Sequence, residues 1–542
     1  MERTNNDGKH MEISEVKISP FELKDKLIDL AKGKMRMTRA MLDAGRGNPN
    51  WIAATPREAF FALGQFAVQE SRRVWNEHDL AGMPHHEGLA ERFYTYVKEH
   101  PETPGINMLK EIVDYGIDVK HFEPDLWLYE LVDGIIGDNY PNPDRMLVKI
   151  EQVVHDFLLQ ELCGSDTACG RYDLFAVEGA TAAMCYIFDT LYKNYLLPPG
   201  SKIAVMVPIF PPYIEIPELP TNAYDVIEIH ASELDENGNH TWQYPKEELE
   251  KLADPDIKAA FIVNPSNPPS VAMNNESIQQ LIRIVKEENP NLMIISDDVY
   301  GTFVEGFRSI MVELPFNTIG VYSFSKYFGV TGWRLGTIAL NRTNVFDKLL
   351  SELPVEKKKV LHRRYASLTH DTDNLKFIDR LVADSRTVAM NHTAGLSTPQ
   401  QVQMALFSIF AVLDQNNRYK KQTNEICTRR MVRLYEGLGL PKKQLPNDAD
   451  YYTEIDLEIW AKHNYGAEFT EFLQTNYKPI DVLYRLAEKS SIVLLNGEGF
   501  LAPTWSIRVS LANLNDDAYL TIGQELRNVL EEYVSEWKEA GS

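Results

Sequence analysis

Ser323-Phe324-Ser325-Lys326-Tyr327-Phe328-Gly329-Val330-Thr331-Gly332-Trp333-Arg334-Leu335-Gly336 places one primary amine among two hydroxyls and a guanidinium. A hydrated surface lysine needs no such company. Hydroxyls and a guanidinium are phosphate ligands, and a lysine amine attacks carbonyl carbon, so the grouping suits a phosphate-bearing aldehyde. The run Asn317-Thr318-Ile319-Gly320-Val321-Tyr322 just before it reads as a buried strand. That strand carries Lys326 to the carboxyl edge of a sheet, where ligands of α/β folds collect.

Working outward, four more segments carry matching chemistry. Asn291-Leu292-Met293-Ile294-Ile295-Ser296 is another buried-strand pattern and ends in Asp297-Asp298-Val299-Tyr300. Ala259-Ala260-Phe261-Ile262-Val263 runs into Asn264-Pro265-Ser266-Asn267-Pro268-Pro269-Ser270. Leu174 to Val177, then Glu178-Gly179-Ala180-Thr181 and a helical run from Ala182 to Leu196, give strand, glycine turn and helix start. Backbone N–H groups at a helix start, with the helix dipole behind them, bind phosphate. Ser506-Ile507-Arg508-Val509-Ser510-Leu511 is a short strand pattern around one arginine, which can grip a carboxylate as a two-pronged fork.

In their order and spacing these segments resemble the class I/II aminotransferase family of fold-type-I enzymes dependent on pyridoxal phosphate. The resemblance covers nearly the whole chain and implies an α/β fold: a large domain with a mostly parallel sheet covered by helices, plus a smaller α/β domain. It implies pyridoxal phosphate as cofactor and Lys326 as the catalytic lysine. Asp297 would face the pyridine nitrogen and Tyr300 the ring oxygen, where Asn267 also reaches. Gly179, Ala180, Thr181, Ser323, Ser325 and Arg334 would take the phosphate. Phe210, in Pro208-Ile209-Phe210, would stack on the ring, with Tyr213 as the alternative. Arg508 would bind the α-carboxylate of an amino acid. Tyr140 matches the tyrosine that family dimers lend to the partner's phosphate, which implies a homo-oligomer, at least a dimer with shared active sites. Asp298 reads as a satisfied neighbour of Asp297, and the Glu178 side chain is expected to turn away from the phosphate.

Two departures set the chain apart. Pro269 and Ser270 stand where the family motif has Thr and Gly, altering the pocket wall. The stretch Asn391 to Pro399 lacks the arginine by which dicarboxylate-specific members hold a second carboxylate, whereas Gly45-Arg46-Gly47-Asn48-Pro49-Asn50-Trp51 puts one in a substrate-facing turn. Arg46 and Gly47 are therefore expected at the substrate, with a structural or solvent-facing Arg46 as the alternative. These features together resemble the aspartate β-decarboxylase branch of the family. That branch implies L-aspartate and keto acids as small-molecule partners, alanine and carbon dioxide as products, aminotransferase side activity and assemblies as large as a dodecamer. An aminotransferase without decarboxylase activity is the alternative.

The expected organisation is an amino-terminal arm and part of the small domain over 1–55, a helical insertion over 56–139, the large domain over 140–415 and the small domain over 416–542. The insertion is longer than the family places there. Its Trp75, Phe93, Tyr94, Phe122, Trp127 and Tyr129 supply apolar bulk for an interface or a lid.

Composition agrees without deciding. The chain has 542 residues, 44% of them hydrophobic, which is ample for a large core. With 78 acidic against 55 basic residues the net charge is −23, unfavourable for nucleic acid or an anionic membrane. No apolar run approaches the ~20 residues of a membrane span. The beginning shows no signal-peptide pattern, and the four cysteines form no CxxC pair, so a cytoplasmic setting is expected. His85-His86-Glu87 lacks a third spaced ligand, and no metal is expected.

Overall fold

The computed structural model describes residues 19–33, 41–138, 145–164, 170–219, 222–386, 395–441 and 447–541. Its centre is a seven-stranded sheet in the spatial order Tyr172–Val177, Gly336–Asn341, Thr318–Ser323, Met293–Asp297, Ile257–Val263, Lys202–Val207, Asp225–His230. Gly336–Asn341 runs antiparallel to both of its neighbours, and every other pairing is parallel.

Parallel strands are covered on both faces, so their sequences are apolar at odd and even positions alike. The two faces can be read residue by residue. Ile203, Val205, Val207, Phe261, Val263 and Ile295 point into the largest core. Their neighbours Ala204, Met206, Ala260, Ile262 and Ile294 point into a second core beneath the helix Asn275–Glu287.

Register then fixes where the chemistry lies. Val263 pairs with Asp297, and Asp297 with Val321. Gly336 pairs with both Ser323 and Val177. The turns after Val177, Val263, Asp297 and Ser323 therefore all emerge at one edge.

A third core joins the helix Pro20–Gly33, through Leu23, Leu27, Ile28 and Ala31, to the helices Arg418–Leu438, Asp481–Ser490 and Asp516–Ala540. Its sheet runs Tyr452–Asp456, Ser506–Ser510, Leu495–Asn496, all antiparallel. Leu42–Asp43 pairs in parallel with Ile492–Val493, tying the early chain to this part.

Between Ala54 and Ile136 the chain is mainly helical, with α-helices Ala54–Val74, Leu89–Glu99, Ile106–Asp114 and Pro124–Ile136. Phe93 and Trp127 are fully buried there, in the same core as Val154, Phe157 and Leu406. Trp75 is half exposed.

From Gly45–Trp51 the chain crosses the loop after Lys326. Ala53 N donates to Phe328 O at 3.1 Å, and Trp51 Nε1 donates to Tyr327 O at 3.2 Å. Gly329 permits the crossing: its φ is +63°, and a Cβ there would lie 2.0 Å from Trp51 O. Gly329→Ala therefore combines left-handed strain of about 1 kcal/mol with a backbone collision. We expect a Tm several degrees lower and weakened cofactor retention, read by calorimetry and by absorbance of the purified variant.

Candidate active site

Lys326 leaves the sheet edge three residues after Ser323, and its Nζ donates to Gly47 O at 2.9 Å. Gly47 O also accepts from the Tyr451 hydroxyl at 2.9 Å. A Cβ on Gly47 would come within 2.3 Å of Tyr452 Oη and 2.9 Å of Lys326 Nζ, so only glycine fits between them.

Asp297 ends its strand fully buried. Its Oδ2 accepts from the Tyr213 hydroxyl at 3.2 Å and its Oδ1 from Val299 N at 3.3 Å. Burial pushes its carboxyl up to about 6, against the opposing pull of those two donors and the Lys326 charge. Tyr213, the alternative stacking ring, thus engages Asp297. Phe210 is partly buried and meets Phe21 edge-on, with centroids 6.2 Å apart. Asp298 accepts from Ser296 Oγ at 2.7 Å and from Ser309 Oγ, and burial raises its carboxyl to about 8. It is satisfied from within the fold.

Arg508 is buried and joins the small sheet to this cluster. It donates through Nη1 to Asn267 Oδ1 at 3.1 Å and through Nη2 to Gly45 O at 2.7 Å, while its buried Nε finds no protein acceptor. Asn267 Nδ2 reaches the Tyr300 hydroxyl at 3.5 Å, and that hydroxyl donates to Tyr452 Oη at 3.1 Å.

At the other end, Gly179 begins the helix Ala180–Lys193 with φ +85°, and a Cβ on it would lie 2.6 Å from Arg334 Nη2. Arg334 donates to Glu178 O at 3.0 Å and Thr331 O at 3.0 Å. Ser323 Oγ and Ser325 Oγ are 2.9 Å apart. Ala180 and Thr181 occupy the first helical turn, whose N–H groups have no acceptor within the helix. The Glu178 carboxylate accepts from the Tyr186 hydroxyl at 3.0 Å.

This geometry coincides with a sequence match: a family model described as aminotransferase class I and II fits residues 174–522. The chain belongs to the class I and II aminotransferase family. A Pseudomonas protein described as bifunctional aspartate aminotransferase and L-aspartate beta-decarboxylase is 48% identical over 97% of this chain and 98% of its own length. Thermotoga maritima aspartate aminotransferase is 36% identical over 40% of this chain and 49% of its own. Among solved structures, a double mutant of Thermus thermophilus aspartate aminotransferase matches with a TM-score of 0.58 at 15% identity, covering 95% of this chain and 97% of that one. Bna3p of Saccharomyces cerevisiae matches at 0.57 and 17%, covering 96% and 97%. Both share the fold-type-I architecture read from the sequence.

Aminotransferases of this family use pyridoxal phosphate, and the residues here fit it. A phosphate needs the donors that Gly179, the following turn, Ser323, Ser325 and Arg334 gather. A pyridinium nitrogen needs a buried carboxylate such as Asp297, which burial without a full counter-charge leaves partly protonated near neutrality. Asn264 Nδ2 is a further buried donor without an acceptor in the protein.

One predicted site residue stands apart from the cluster. Arg46 is 58% exposed and its Nε pairs with Asp43 Oδ2 at 2.9 Å. Tyr140 lies outside the described residues. Sequence reasoning missed Tyr451, Tyr452 and Glu454. The signal was present, because the arginine strand needs a partner and Tyr452–Asp456 alternates in the right way to be one. Glu454 faces Arg508 across that pair, and burial raises its carboxyl to about 8.

The Asp297 value carries a prediction for the cofactor-free protein. Its folded pKa of about 6 exceeds that of an unfolded aspartate, so the folded state holds the extra proton and stability is lost as pH rises from about 4 through 6. Asp297→Asn removes that loss. We expect the variant to stabilise the cofactor-free protein more at pH 8 than at pH 5, by about 1 kcal/mol. Melting curves at the two pH values check it.

Proposed function

We propose that the chain releases the side-chain carboxyl of L-aspartate as carbon dioxide, giving L-alanine, with aspartate transamination as a second activity. The 48% identity to the bifunctional Pseudomonas enzyme over nearly both full lengths carries this reading. Bound pyridoxal phosphate supplies an electron sink next to the amino acid's Cα.

The protein's own groups do the rest. Lys326 removes and returns the proton at Cα. Arg508 offers its buried fork to the α-carboxylate, with Asn267 and the turn at Gly47 beside it. Asp297 keeps the ring nitrogen protonated, Tyr300 and Asn267 hold the ring oxygen, and Phe210 stacks on the ring. Gly179, Ala180, Thr181, Ser323, Ser325 and Arg334 hold the phosphate, with Tyr140 contributed by the partner subunit. Arg46 takes the side-chain carboxylate after leaving Asp43. A loose grip suits it, because a tight ion pair would stabilise the carboxylate whose charge must be lost.

We assign residues 1–55 and 416–542 to the small domain, 140–415 to the large one and 56–139 to an insertion that joins dimers into larger assemblies. The described residues contain no helix long and apolar enough to cross a membrane, and a cytoplasmic site of action fits the composition. Phe61, Val68, Trp75, Leu80 and Met83 are exposed apolar residues of the insertion. Light scattering is expected to give a mass above that of a dimer, and Phe61→Arg with Val68→Glu to lower it.

The activity is tested by giving loaded enzyme L-aspartate alone and measuring carbon dioxide, alanine and oxaloacetate. Equal carbon dioxide and alanine over many turnovers is expected. A single half-turnover that stalls until 2-oxoglutarate is added would make the protein an aminotransferase only. Lys326→Ala loses the visible absorbance of lysine-bound cofactor. Arg46→Ala alters aspartate turnover, and unchanged turnover and affinity would remove Arg46 from the site.

A further inference from the structure

Removal of a carboxylate from Cβ leaves an electron pair on that carbon, and alanine forms only when Cβ takes up a proton. Lys326 is occupied at Cα, where it must remove one proton and deliver another. A second acid at the same pocket would let each carbon have its own proton donor in the proposed reaction, on which this inference rests.

The buried polar groups around Lys326 narrow the choice. Asp298 is held by two serines and points away into the fold. Asp297 lies against Tyr213, at the place of the ring nitrogen. Glu454 lies behind Arg508 and is held by Ser506. Tyr451 spends its hydroxyl proton on Gly47 O, and Tyr300 spends its own on Tyr452. Tyr452 accepts that bond at 3.1 Å, and its own proton is given to no acceptor among the hydrogen bonds described. Its Oη and Lys326 Nζ both lie close against Gly47, where no side chain would fit between them. The guanidinium of Arg508, which grips the substrate, lies 4.4 Å above its ring.

We propose that Tyr452 is a second catalytic residue, the acid that protonates Cβ of the substrate after carbon dioxide departs.

The step balances. The bond from Cβ to the side-chain carboxyl breaks with its electron pair left on the Cβ side, and carbon dioxide leaves. That pair takes the Tyr452 hydroxyl proton, and a new C–H bond forms as the O–H bond breaks. The phenolate faces two cations, Lys326 and Arg508. A proton from solvent then restores the phenol, matching the single proton that decarboxylation of aspartate consumes.

Electrostatics agrees with that role. Burial alone would raise the Tyr452 phenol, but the charges of Lys326 and Arg508, with the Tyr300 hydroxyl, outweigh it and hold the phenol below the usual tyrosine value. Tyr300 and Tyr451, equally buried beside it, are pushed well up.

The backbone also holds Tyr452 in place. Its N–H donates to Ser270 Oγ at 3.2 Å, and Ser270 adopts φ +65°, a conformation at home to glycine. A serine in that strained conformation supplies a side-chain acceptor for the Tyr452 amide. Ser270 is thus a positioning residue for Tyr452, and it stands where the family motif has glycine.

The test is Tyr452→Phe, which removes one oxygen and leaves the ring. For the loaded enzyme with L-aspartate, the ratio of carbon dioxide to oxaloacetate is expected to fall by about 100-fold or more, the usual contribution of a positioned acid. A merely structural role would depress both products together and leave the ratio unchanged, which would overturn the proposal. The second readout uses cofactor-free protein and the ultraviolet absorbance of tyrosinate. Wild type should show one tyrosine ionising below the ordinary range, and Tyr452→Phe should lack it. An identical titration in both proteins would also overturn the proposal. If wild type itself released no carbon dioxide, the reading of the function would fail instead, and Tyr452 would have no such step to serve.

Discussion

Two carbonyls of one turn hold the site together. Gly47 O is shared by Lys326 and Tyr451, and Gly45 O receives Arg508. Lys326 follows a strand of the large sheet, Tyr451 precedes a strand of the small one and Arg508 lies within the small one, so the Gly45–Gly47 turn is one place where the two parts meet. Each bond alone contributes roughly 1 kcal/mol, somewhat more where the donor is charged. Their value lies in geometry, because they fix the distance between the Lys326 amine and the Arg508 guanidinium. Everything around the turn serves that distance. The helix Pro20–Gly33 and the pairing of Leu42–Asp43 with Ile492–Val493 anchor it on one side, and the crossing over Gly329 anchors it on the other.

The large sheet was legible because its strands are short, apolar on both faces and followed by residues with strong chemical character. Parallel register then does the assembling without further information: once Val263, Asp297 and Val321 lie side by side, the turns that follow them must converge. Gly179, Ser323, Ser325, Arg334, Asp297, Tyr300, Asn267 and Lys326 end or follow strands of this one sheet and could be gathered from sequence with its help.

Arg46 was harder. Its location in the turn was legible, but the direction of a long side chain depends on the charges it meets, and the buried Asp43 three residues earlier offers one. Tyr452 was harder still. Nothing in Tyr451-Tyr452-Thr453 marks chemistry, since buried tyrosines are common, and its meaning comes from the antiparallel register that sets it beside the arginine strand. Ser270 is the opposite case: the sequence displayed the departure plainly, but its reason, a hydroxyl beneath the Tyr452 amide, exists only in three dimensions.

The pair between Arg46 and Asp43 has a thermodynamic side. Only its arginine is open to water, and screening on that side weakens the pair. In the role proposed for Arg46, aspartate would draw the arm from Asp43 at little cost in affinity. The same looseness opens the arm to other anions. Salt weakens its tie to Asp43 and at the same time supplies rivals for its charge, so the two effects of ionic strength on this residue act in opposite directions.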